Sequence, residues 1–292
     1  LSNKEKEFLM KKILAITLLA STLNAQASTK VVYGEDNRVD VYESTNAMFI
    51  ELANSTAAMI RNGKVVENED GGYDISSITL EQGGICASER FSQQPMAASC
   101  SGFLVGEDLL VTAGHCIKNQ TSCNAYKWVF DYKVDHETQG KVSVGENSVY
   151  GCKEIVNRAL DSWSKDDWAL IRLDRAVTDR RFLEYRKSGE PEVGANLVVI
   201  GHPTGLPTKI ADGANIRELK GTYFTANLDT YGGNSGSAVF NADTGVVEGI
   251  LVRGERDYLY DSVNACRVTN VVADDEGRGE DITYITNIPE LK

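Results

Sequence analysis

Histidine, proline and positive charge are what this chain has least of: three histidines, five prolines, and 30 lysines and arginines against 42 aspartates and glutamates in 292 residues. So few prolines, with glycines that are scattered rather than periodic, exclude a low-complexity chain. No segment recurs at a fixed period, which excludes solenoids and propellers. A net charge of −12 has the wrong sign for holding nucleic acid or an anionic membrane surface. None of the six cysteines falls in a C-x-x-C pair, so zinc spacing is missing. No apolar run approaches the roughly 20 residues that a spanning helix needs. What remains is an ordinary globular composition with room for one large domain or two moderate ones.

The amino-terminal end is a targeting segment. Met10-Lys11-Lys12 is a basic start, Ile13 to Ala20 is apolar apart from Thr17, and Ala25-Gln26-Ala27 has the A-x-A form. This is a secretory signal peptide cut before Ser28, and residues 1–9 read as translated upstream sequence. Residues 1–27 carry four lysines and two glutamates, so their loss takes the net charge from −12 to −14. Export also decides the cysteines. Cys86, Cys100, Cys116, Cys123, Cys152 and Cys266 are an even set in an oxidising compartment, where disulfides are the default. Cys100–Cys116 is favoured because the two flank a hairpin, and that bridge is worth roughly 3 kcal/mol. The other four are disulfide candidates whose pairing stays open.

Beyond a polar stretch, Ser44-Thr45 is placed to cap a helix over residues 46–60, with Phe49, Leu52, Ala53, Thr56 and Ile60 on one face. The rest reads as short strands. FLVGEDLLVTA (103–113) is two apolar runs around a Gly-Glu-Asp turn, followed by KWVFDYKV (127–134) and DWALIRLD (167–174). NLVVIG (196–201), the hairpin SAVFNADTGVVEGILV (237–252) and ITYITNI (282–288) come after KSGEPEVG (187–194), which divides the chain. Many short strands and little helix predict an all-β barrel or sandwich. The division gives residues 28–60 as a strap and short helix, in part a pro-segment, then halves over 61–187 and 188–292.

Three residues stand out chemically. His115 closes the apolar run LLVTAGHC beside a cysteine, Asp167 opens the strand DWALIRL, and Ser235 follows a Gly-Gly turn in TYGGNSGS. A hydroxyl is inert at neutral pH without an adjacent base, and the base needs a group that orients it. Base, carboxylate and hydroxyl are the three parts of a serine nucleophile. The N–H groups of Gly233 and Ser235 are placed to meet a developing oxyanion, each worth about 3–4 kcal/mol in a transition state. The other two histidines carry less: His202 sits in a Pro/Gly loop as a structural residue, and His136 reads as surface.

TAGHC, DWALIRL and GGNSGSAVF resemble the three signature segments of the trypsin-like, chymotrypsin-fold serine peptidases. LDTYGGNSGSAVF, with YGEDNR near the mature start, resembles the bacterial glutamyl endopeptidase-like branch of that family. The resemblance implies two packed six-stranded antiparallel β-barrels, all-β, with the active site in the cleft between them. His115 is then the general base, Asp167 rather than Asp166 its orienter, and Ser235 the nucleophile. The C-S-G-F segment also matches, in support of Cys100–Cys116. It implies a secreted or periplasmic bacterial endopeptidase, monomeric, acting on polypeptides by an acyl-enzyme route and free of nucleic acid, membrane and cofactor.

The departures from the family are informative. Asn234 stands where trypsins carry the aspartate that receives a new amino terminus, so an oxyanion hole shaped without that ion pair is expected, even if cleavage near Lys30–Val31 unblocks the cleft. Val252 matches the family's serine that bonds the triad carboxylate, and cannot do so; Thr112 is a substitute donor. Asp229, with Thr230 beside it, has the spacing of the trypsin pocket floor, and Arg253 is a candidate receiver of a substrate carboxylate or a partner for Asp229. The glutamyl branch places a histidine on the strand matching GILVRG, where this chain has Leu251, Val252 and Arg253. An α/β-hydrolase needs the opposite order of the three residues. The alternative in a different class is a catalytically inactive homologue acting as a secreted binding module. The acidic run ADDEGRGED (273–281) reads as a solvated loop and is also a candidate structural calcium site, though it lacks EF-hand spacing.

Overall fold

A computed structural model describes residues 32–136 and 140–292. The signal peptide and the Lys30–Val31 bond lie outside the described residues. Six strands close the first barrel: β1 (Thr56–Arg61), β2 (Ala98–Leu104), β3 (Leu109–Thr112), β4 (Tyr126–Val129), β5 (Val149–Leu160) and β6 (Asp167–Leu173). Round the ring they run β1-β2-β3-β6-β5-β4 and back to β1. The second barrel is β7 (Asn196–Gly201), β8 (Lys209–Leu219), β9 (Tyr223–Ala226), β10 (Ala238–Asn241), β11 (Val247–Arg253) and β12 (Glu280–Tyr284). Its ring is β7-β8-β9-β12-β11-β10, closed by β7 on β10. The two rings have the same topology, and every pairing in both is antiparallel. This is the chymotrypsin-like fold.

Alternation along the strands explains why so many residues are apolar in a row. A side chain on one face of a strand fills its own barrel and the next faces outward. Here the outward face is also buried, because the barrels pack on each other. In β6, Ile171 and Leu173 fill the first barrel while Trp168 and Leu170 enter the shared core. In β7, Leu197 and Val199 fill the second barrel while Val198 and Ile200 reach the same shared core.

The helix expected over 46–60 spans only Ala47–Ala53, capped by Asn46, whose side chain accepts from the Met48 and Phe49 amides. Phe49 and Ala53, one turn apart, dock on the shared core. The remainder, Thr56–Arg61, is β1: Ala57 and Met59 face into the barrel and Ala58 and Ile60 face away. Its edges complete the ring, and those ladder bonds override a helical pattern carried by TAAMI.

An amino-terminal strap crosses the second barrel. Arg38–Asp40 pairs with β8, and Val32–Tyr33 runs parallel to Val271–Val272. Asp40 and Lys209 form a buried ion pair beneath it, joined by Gln94 at 2.7 Å from Lys209 Nζ. Three disulfides form, Cys100–Cys116, Cys123–Cys152 and Cys86–Cys266. The last spans 180 residues and ties the first half to the hairpin after β11. Among the described residues no helix is long and apolar enough to cross a membrane.

Candidate active site

The two barrels bring His115, Asp167 and Ser235 to one cleft. His115 follows β3 and Asp167 opens β6, neighbouring strands whose register sets Ala169 against Thr112. The Asp167 carboxylate is 2% exposed. Its Oδ1 accepts the His115 backbone N–H at 3.0 Å, and its Oδ2 lies 2.8 Å from His115 Nδ1. A carboxylate can only accept there, so in the neutral ring Nδ1 carries the proton and Nε2 presents a lone pair. The half-buried ring leaves that lone pair open to the cleft.

Ser235 comes from the other barrel. Its carbonyl accepts the Ser101 N–H at 2.8 Å and lies 3.6 Å from Cys116 Sγ, next to His115 in the chain. The turn can sit so close because residue 236 is glycine, with φ of 90°. A Cβ there would stand 2.3 Å from Thr112 Oγ1 and 2.9 Å from the Ala113 nitrogen. Among the described residues the Ser235 hydroxyl and His115 Nε2 have no hydrogen-bond partner. Apo sites commonly show such loose geometry.

The backbone of this turn has a pattern. From Gly232 to Ser237, the N–H groups of Gly232, Asn234, Gly236 and Ser237 all donate. Those of Gly233 and Ser235 have no acceptor among the described residues. The reason lies behind them. The Thr204 N–H takes the Gly232 carbonyl and the Ser237 N–H takes the Asn234 carbonyl. Because C=O and N–H point opposite ways across a peptide plane, these two bonds turn the Gly233 and Ser235 N–H groups outward. Ser101 Oγ holds the Gly233 carbonyl at 2.9 Å. Gly233 has φ of 98°, and a Cβ would stand 2.5 Å from the His202 carbonyl. Asn234 is buried, its Oδ1 accepting from Ser237 Oγ at 3.3 Å.

Several sequence expectations need correction. Asp229 lines no part of the cavity beside Ser235; it is buried and accepts the N–H groups of Tyr33 and Asn37, each at 2.8 Å. Burial pushes its carboxyl up to about 7 against those two bonds. Its acceptors are taken by the strap, which no local spacing announces. Thr230 and Arg253 do line the cavity. Arg253 does not pair with Asp229. Its Nε contacts Asp281 at 3.2 Å, its Nη2 donates to the Lys165 carbonyl at 2.9 Å, and its Nη1 reaches Asp167 at 3.5 Å. It thus faces the carboxylate that Val252 cannot serve. Thr112 donates instead to the Ser101 carbonyl, and Asp166 accepts from Trp168 and Asn287. The acidic run forms no calcium cage among the described residues: Asp281 pairs with Arg253 and Arg278, and Asp274 holds Asn227. Among the described residues the nearest approach to a metal set is Cys100, His115 and Cys116, two of which are joined as a disulfide.

Glu280, which the sequence placed only within the acidic run, lines the cavity from β12. It opens a buried strand just as Asp167 does, and that was its available signal.

His202 lies under the turn, fully buried, with Nδ1 3.1 Å from the Leu206 carbonyl and Nε2 without a partner among the described residues. Burial pushes it down to about 3. The unfolded chain binds this proton near pH 6.5, so the stability from keeping His202 neutral is complete above that pH and is lost as pH falls toward 3. The expected loss is about 4 kcal/mol. Denaturant midpoints from pH 7 to pH 4 check it: the His202→Gln variant should show a shallower decline than the unaltered chain, and parallel declines would refute it.

A family model for the trypsin-like peptidase domain matches residues 100–250. A solved Glu endopeptidase in complex with MPD superposes with a TM-score of 0.48 at 16% identity, over 84% of this chain and 95% of that one. No curated protein sequence matches.

Proposed function

Since the chain belongs to the trypsin-like peptidase family, we infer that it is an exported serine endopeptidase that hydrolyses polypeptides through an acyl-enzyme. The observation that carries this is the pairing of His115 Nδ1 with buried Asp167 at 2.8 Å, which aims a lone pair into the cleft that Ser235 enters. Disulfides joining all six cysteines agree with export.

Each residue then has a step. Ser235 Oγ attacks the scissile carbonyl carbon while its proton passes to His115 Nε2. The carbonyl oxygen becomes an oxyanion between the two outward N–H groups of Gly233 and Ser235, which are preset and need no rearrangement. His115, now doubly protonated and steadied by Asp167, gives its Nε2 proton to the leaving amine as the C–N bond breaks. Water attacks the resulting ester, its proton going to Nε2, and returning that proton to Ser235 Oγ releases the acid.

The bonding of the Ser235 hydroxyl to nothing among the described residues is the one feature that favours the second reading, an inactive homologue that binds protein. An organophosphonate separates the two. The exported protein, treated with the reagent and digested, should carry the adduct on Ser235 alone. Failure to label while the protein remains folded would favour the binding module.

A further inference from the structure

We propose that Glu280 makes the cavity beside Ser235 a receptor for a cationic side chain, so that the substrates are polypeptides with lysine or arginine before the scissile bond. The substrate class rests on the peptidase reading above; the cation site itself does not.

The cavity is about 180 Å³ and opens next to Ser235. One wall is the turn from Thr230 to Gly232 and the other is the end of β11 with Gly254. Glu280 is 2% exposed and lies against Gly254, where a Cβ would overlap its carboxylate. Oε2 accepts from Thr230 Oγ1 at 2.6 Å and Oε1 accepts from the Glu255 N–H at 3.2 Å. Both donors are neutral, and each oxygen keeps a second lone pair. Among the described residues no lysine, arginine or histidine lies within ion-pair distance of Glu280. A buried carboxylate without a cation is costly, and here it stands at the edge of an empty space shaped to admit one.

The nearby charges strengthen this. Asp257 and Glu255 also line the cavity. The two nearest cations have other partners: Arg253, which lines the cavity, is bound to Asp281, Asp167 and the Lys165 carbonyl, and Arg278 contacts Asp281 at 2.7 Å. An incoming carboxylate would meet the carboxyl groups of Glu255, Asp257 and Glu280 and no cation without a partner of its own. Once Glu280 has lost its proton a substrate glutamate is disfavoured by like charge, and an ammonium or guanidinium, which draws that proton off, is favoured.

Proton balance gives a second readout. Burial pushes the Glu280 carboxyl up to about 8, with Thr230, the Glu255 amide and Arg278 drawing it down and Asp257 raising it; Tyr33 also faces it. In the empty pocket it holds a proton at neutral pH, and an entering cation displaces that proton to water. Cation binding therefore strengthens as pH rises toward 9.

The test uses p-aminobenzamidine, a fluorescent arylamidinium, and matched peptides with Lys, Arg, Leu or Glu before the cleaved bond. Expected are a kcat/KM for Lys and Arg about 100-fold above Leu, a ratio that rises between pH 6 and 9, and binding of the amidinium weakened at least tenfold by Glu280→Gln. Equal cleavage of all four peptides, a preference for Glu, or a Glu280→Gln protein that binds the amidinium unchanged would overturn the proposal. If that variant does not fold, the pH dependence of the Lys-to-Leu ratio in the unaltered protein decides, and a flat ratio overturns it. A protein that binds the amidinium but takes no organophosphonate would support the cation site and remove the peptidase reading alone.

Discussion

Ser235→Ala is expected to lower peptide hydrolysis by about 10⁴–10⁶ while leaving the fold in place. The size of the loss follows from the division of labour. Without the hydroxyl there is no ester intermediate, and His115 and Asp167 have no proton to move, so the three residues fail as a unit. The residual rate would come from the Gly233 and Ser235 N–H groups, which the substitution leaves in position. Stability should change by less than about 0.5 kcal/mol, because the hydroxyl bonds nothing among the described residues and the side chain is half-buried at a surface cleft. The measurement pairs kcat with a thermal midpoint. Retention of more than a tenth of the activity would remove Ser235 as the nucleophile, and a large drop in the midpoint would make the variant uninformative about chemistry and require Ser235→Cys in its place.

Asp167→Asn is expected to cost about 10³–10⁴ in kcat. The carboxylate accepts twice from the same residue, from the His115 N–H through Oδ1 and from Nδ1–H through Oδ2. An amide has only one oxygen. If that oxygen keeps the backbone N–H, the NH₂ faces Nδ1, which must then accept, and the imidazole proton moves to Nε2. The base is then in the wrong tautomer to take a proton from Ser235. The variant also removes the charge that Arg253 Nη1 approaches at 3.5 Å, so a modest loss of stability should accompany it. The discriminating readout is the rate of organophosphonate labelling, which needs an activated serine and should fall in step with kcat. A less than tenfold effect on both would mean that His115 is oriented by something other than Asp167.

The chemical core was legible in the sequence because each part of it is local. His115 beside a cysteine at a strand end, Asp167 at the mouth of DWALIRL, and Ser235 between glycines are defined by a few neighbouring residues, and the turn geometry that Gly233 and Gly236 permit is a property of the glycines themselves. The strands were legible for the same reason: their apolar runs are the direct record of burial on both faces. The helix was read too long because TAAMI fits either period, and only the partners β2 and β4 select the strand.

The cavity beside Ser235 was not legible, and the reason is distance along the chain. Asp229 has the spacing of a pocket floor, but the strap at Tyr33 and Asn37, nearly 200 residues earlier, takes its oxygens. Glu280 lies 45 positions after Ser235 by residue number, in a run that reads as a solvated loop, and it enters the cavity because β12 pairs between β9 and β11. Arg253 is drawn to Asp167 by the packing of one barrel on the other. The sequence by itself determined the constellation of His115, Asp167 and Ser235 and the β architecture, since both depend on local residue pattern. The tertiary structure alone decided which carboxylates line the cavity beside Ser235, since hydrogen bonds and ion pairs between distant segments determine which of them remain free.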